Sequence, residues 1–221
     1  MGLGATGRPQ ATRIADTGRP LLAPWDHGLS LLPPGAAAFA TAARRYGVLT
    51  WYQAHEAGLT KTDIRRFMRA GDRRRPYPRV YAVRSLVDLA DPTLRLRTTV
   101  MAAQLALGGD AFAGGETAAR LWGVEGLPAW DHRTVHMVLP GRGSHRHVPG
   151  ITLHSWKTLP TEVTRLDGGA LRVTTPVRTL ADTLLGVDRE TAVCLMDSAF
   201  HQGLVTPDHI PEMERANRGR R

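Results

Sequence analysis

A mixed α+β chain in two parts is what the sequence predicts, and three observations predict it. Two helix-start signatures follow one another at Thr50 and Thr60. An arginine-rich segment with a proline turn then runs into the strand-forming Val80-Tyr81-Ala82-Val83. Beyond Asp88–Pro92 the composition shifts, and helical periodicity alternates with short β-branched runs.

Residues 1–34 carry ten Gly and Pro residues from Gly2 to Pro34 without sustained periodicity, which predicts a disordered leader. An alanine-rich first helix is expected from Gly35 to Tyr46, ended by Gly47. Thr50 and Gln53 have capping-box spacing for a short second helix that stops at Gly58. Thr60 caps a third, with Leu59 and Ile64 at the positions of a hydrophobic staple. At 100° per residue Ile64, Phe67 and Met68 fall on one side of that helix, with Thr62, Arg65, Arg66 and Arg69 opposite. Phe67 is expected in the core between the first two helices. Gly71 ends the helix. Arg73 to Val83 then reads as a hairpin turning at Pro78-Arg79. Three helices and a hairpin over 36–85 predict a winged helix-turn-helix.

The second part, 92–215, is expected to be a mixed α/β domain. Its helices are predicted at Pro92–Leu107, Ala113–Gly123, from Pro176 onward and at Arg189–His201, with a short one capped near Thr206. Strands are predicted at Thr134–Leu139, Ile151–Trp156 and Leu171–Thr175.

Charge points to the partner. Between Lys61 and Arg84 nine basic residues stand against Asp63 and Asp72, a local +7 out of a formal +9 for the chain. A helix followed by a basic ribbon suits duplex DNA, the helix in the major groove and the ribbon along phosphates or the minor groove. Lys61, Thr62, Arg65, Arg66 and Arg69 are the helix candidates, with Arg65 and Arg69 assigned to guanine edges. Arg73, Arg74, Arg75, Tyr77 and Arg79 are the hairpin candidates. Arg142, His145, Arg146 and His147, in the loop between the predicted strands, are secondary phosphate contacts. A solvated basic surface that meets RNA or an acidic protein is the alternative.

Chemistry of other kinds finds little purchase. The single Cys194 sits among Val193, Leu195 and Met196 and excludes a disulfide framework. Nine histidines show neither HExxH spacing nor a matching carboxylate set, so no metal is expected. There is no GxSxG and no phosphate-binding GKS or GKT loop. No cofactor and no enzymatic activity are expected. No apolar run approaches a membrane span and no secretory leader is evident, so a cytoplasmic protein is expected.

The stretches GVLTWYQAHEAGLTKTDIRRFMRAG (47–71), RVYAV (79–83), ETAARLWGVEGLP (116–128), VHMVLP (135–140), VTTPVRTLADTL (173–184) and HQGLVT (201–206) occur in one order. In that order the chain resembles the AbiEi family of type IV antitoxins in its actinobacterial form, over most of 36–215. The resemblance implies a winged-helix domain that binds promoter DNA and represses its own operon. Since one such head is visible, an inverted-repeat promoter site, bound as monomer or dimer, is expected. It also implies a C-terminal domain needed against a nucleotidyltransferase-like toxin that is not stably contacted. Two departures stand out. Relatives often place glycine after the turn proline, where this chain has Pro78-Arg79. Relatives also commonly continue into a nuclease-like domain, whereas this sequence stops at Arg221, so no activity of that domain is expected.

Overall fold

The computed structural model describes residues 34–71, 73–140 and 147–218. The expected leader lies outside the described residues except for Pro34, and so do Arg142, His145 and Arg146. The architecture is mixed α+β, with helices packed on two sheets.

Helix α1 (Pro34–Ala43) ends in a turn where Tyr46 and Gly47 take φ of 53° and 77°. A side chain at Gly47 is doubly excluded, since its Cβ would also lie 2.7 Å from Val87 Cγ2. The turn leads into β1 (Val48–Thr50), a strand too short to be read from alternation and not anticipated from the sequence. Helix α2 (Trp51–Glu56) begins at the predicted capping box: Gln53 N donates to Thr50 Oγ1 at 3.2 Å and Thr50 N to Gln53 Oε1 at 2.9 Å. Helix α3 (Lys61–Arg69) repeats the device with Asp63, whose N donates to Thr60 Oγ1 at 3.1 Å. Thr60 N donates to Asp63 Oδ2 at 3.0 Å in return. Strands β2 (Arg73–Tyr77) and β3 (Val80–Val83) flank the expected turn, and the sheet runs β1-β3-β2, antiparallel throughout. The β2 register shifts by one residue between Arg74 and Tyr77, where Pro76 has no N–H to give the ladder.

Both faces of this sheet are covered. Leu49 and Val83 join Ala38, Ala42, Ala54, Leu59 and Ile64 beneath α1–α3. Phe67 is only half-buried, contrary to expectation, and the Arg66 guanidinium lies 5.5 Å from its ring centroid. Ile64 occupies the centre of the apolar stripe, and Phe67 is rotated about 60° from it toward the rim. On the other face Val48, Tyr77 and Val80 pack against α4 (Pro92–Leu107), which starts and stops where the sequence predicted. Asp91 caps α4 by accepting from Thr93 N at 2.7 Å, with Pro92 at the first helical position.

The remaining chain forms β4 (Phe112–Ala113), α5 (Gly115–Leu121), β5 (Val135–Val138), β6 (Ile151–His154), β7 (Val163–Leu166) and β8 (Leu171–Thr174). These strands make a sheet of order β6-β5-β4-β8-β7, parallel at β4–β8 and β5–β6 and antiparallel elsewhere. Strands β4 and β7 were not anticipated. Helices α6 (Pro176–Leu184), α7 (Arg189–His201) and α8 (Ile210–Asn217) gather around Leu180, Leu195 and Met213 with Ala119 of α5. Helix α4 lies between the two sheets. Its Leu96, Val100 and Met101 share one core with Val48 and Val80 of the first and with Val135, Met137 and Val173 of the second. The Asp88–Pro92 segment thus separates two sheets in sequence, while a single apolar core joins them in space.

A polar joint reinforces that core. The Tyr46 hydroxyl donates to Asp167 Oδ2, and Arg97 Nε donates to the same oxygen at 3.0 Å. Burial first, then the Asp167 carboxylate, push the Tyr46 phenol above its ordinary pKa. No helix among the described residues is long and apolar enough to cross a membrane.

Candidate nucleic-acid interface

Helix α3 presents the face that its spacing predicted. Thr62, Arg65, Arg66 and Arg69 are exposed, as is Lys61 at its start, while Ile64 is 4% exposed beneath them. The capping box fixes where this helix begins, and therefore which side chains point outward. Hydrogen bonds from the Thr60 side chain and backbone hold the Asp63 carboxyl below its ordinary pKa. Of the α3 cations, Arg66 lies 3.6 Å from Asp63 with much of its side chain in solvent, a pair of little net energy. Arg65 and Arg69 make no ion pair among the described residues.

The hairpin tip carries a further exposed cation, Arg79. Arg79 takes φ of 63°, the left-handed region, and Tyr77 pairs with Val80 across the two-residue turn. Glycine would meet no Cβ penalty at this positive φ. Here the chain carries a charged residue in a strained conformation. Arg79 O accepts from Trp51 N at 2.8 Å, and Arg79 Nη1 lies 3.5 Å from the Tyr52 hydroxyl. The start of α2 and the tip of the hairpin are therefore tied together. Arg75 is exposed on β2; Arg73 and Arg74 lie on the same strand.

Tyr77 is a correction. Its register opposite Val80 turns it toward α4, where it is 9% exposed and shares the core with Leu96 and Val100. Burial raises its phenol pKa. A ring so placed supports the sheet and has no surface to offer a phosphate. Tyr52, missed in the sequence, is the exposed aromatic instead, at 57% exposure beside Arg79. Its neighbourhood depends on the Trp51–Arg79 backbone bond, so only its place one residue into a capped helix was legible.

The secondary loop is covered only at its end. His147 is exposed, and Arg142, His145 and Arg146 lie outside the described residues. Gly150, just beyond, would place a Cβ 3.6 Å from the Tyr77 hydroxyl, so the end of this loop adjoins β2. Among the described residues no cluster of three or more His, Cys, Asp or Glu has metal-site geometry. His136 Nδ1 and His154 Nε2 are 3.1 Å apart, and His154 stacks on Trp156 with ring centroids 4.0 Å apart. Burial lowers the His136 pKa, which favours a neutral ring in this stack.

No protein-family model and no curated protein matches the sequence. Among solved structures, the chain is similar to the RV2827C protein from Mycobacterium tuberculosis, at 16% identity over 84% of this chain and 82% of that one. The TM-score is 0.40.

Proposed function

We propose that this chain is a DNA-binding transcriptional regulator whose residues 36–85 act as a winged helix-turn-helix. The supporting observation is the set of six exposed cationic side chains, Lys61, Arg65, Arg66, Arg69, Arg75 and Arg79, on one capped helix and the adjoining hairpin. In this reading α3 enters the major groove with Arg65 and Arg69 toward guanine edges. Arg75 and Arg79 hold flanking phosphates or the minor groove, joined by Arg73 and Arg74. The ordered motif series supports a place among AbiEi-like antitoxins, repressing the chain's own promoter and linked in function to a nucleotidyltransferase-like toxin.

Six phosphate contacts give an expected slope of log K against log[salt] of roughly −5. Electrophoretic retardation on the protein's own upstream DNA, across a salt series, measures it. A slope near zero with retained affinity would overturn the electrostatic reading. Tighter binding to single-stranded RNA than to that duplex would transfer the same surface to the alternative, an RNA-binding module.

A further inference from the structure

The molecule has a second cationic feature, far from α3 in sequence and built by strand pairing. Arg165 on β7 and Arg172 on β8 are directly opposed in the antiparallel register. Like charges in that relation repel and destabilise the pair of strands. Neither forms an ion pair among the described residues. Arg172 donates to Gly109 O and Arg165 Nη1 donates to Gly169 O at 3.0 Å, which leaves most of the five N–H donors of each guanidinium unused.

These arginines line a cleft of about 380 Å³, within the size range of small-molecule sites. Leu171 and Val173 point into the α4 core, so Arg172 between them faces the opposite side of the sheet. There its guanidinium lies 5.9 Å from the Phe112 ring centroid. Phe112, Arg172 and Arg165 thus form a row across β4, β8 and β7. Leu159 and Val163 supply apolar wall, and Leu159 is 63% exposed there. Asp110 also lines the cleft without an ion pair to either arginine, so the formal charge of the three groups is +1.

We propose that this cleft binds a small organic carboxylate, held by Arg165 and Arg172, with its apolar body against Leu159 and Val163. A monoanion neutralises the residual charge and relieves the cross-strand repulsion, and a carboxylate matches the guanidinium fork. The site is independent of the DNA reading.

The test is a titration of the full chain with benzoate, and with benzamide as its uncharged counterpart, followed by amide chemical shifts. Benzoate is expected to move the Phe112, Arg165 and Arg172 resonances saturably, and benzamide at least tenfold more weakly. Arg165→Gln/Arg172→Gln should weaken benzoate at least tenfold, whereas Arg65→Gln/Arg69→Gln should leave it unchanged. Should the double variant melt early, Arg165→Glu alone, at an exposed position, should give the same loss. Equal response to benzamide, unchanged affinity in the Arg165 variants, or shifts confined to α3 and the hairpin would each overturn the proposal.

Discussion

Helices α3 and α6 are each nine residues long, and each follows a threonine cap, Thr60 or Thr175. Both carry arginine, in opposite circumstances. On α3, Arg65 and Arg69 are exposed and without an ion pair among the described residues. On α6, Arg178 is 4% exposed, with Nε within 3.0 Å of both Asp182 carboxylate oxygens and Nη1 2.8 Å from Glu162. Burial acts against its charge, and the two carboxylates outweigh this to raise its pKa. The contrast teaches that the surroundings decide what an arginine does. A solvated guanidinium remains available to an incoming anion. A buried one ties α6 to the β6–β7 connection and is spent within the fold.

The comparison breaks most completely if the exposed-arginine region is cut away. Residues 36–85 alone would expose Val48, Tyr77 and Val80, which α4 covers. That fragment is therefore expected to lose cooperative thermal unfolding, and 34–107 to recover it, as followed by circular dichroism. A fragment 36–85 that melts like the full chain would show that α4 is dispensable to the first sheet.

Arg178→Ala comes next. It strands Asp182 and Glu162 in a buried site and should cost about 3–5 kcal/mol in denaturant unfolding. DNA affinity per folded molecule should stay unchanged. On the other helix Arg65→Ala should leave unfolding alone, lose about 1–3 kcal/mol on a cognate duplex and relax discrimination. Reversed outcomes for Arg178 and Arg65 would invert the comparison.

The smallest effect sharpens it. Arg79→Gly removes one charge and relieves a left-handed residue, so stability should rise by about 0.5–1 kcal/mol while DNA binding weakens. A variant that binds as well as the parent would assign the hairpin tip no phosphate contact.

What the sequence determined by itself is local. The caps at Thr50 and Thr60, the stop at Gly71, the limits of α4 and α7, and the solvent side of α3 all follow from bonds and periodicity within about one helical turn. Strands β1 and β4 have three and two residues, too few to show a period. Strand β7 (Val163–Leu166) is as long as β5, β6 and β8 but places Thr164 and Arg165 side by side between its two apolar residues. Strands β1 and β4 depend on partners far along the chain, whereas β7 pairs with the adjacent β8. Only the tertiary structure decided that Tyr77 faces α4, that Tyr52 stands beside Arg79, and that Arg165 meets Arg172 across a strand pair. Each of these depends on register and on which layer covers which face, and a one-residue slip would reverse it.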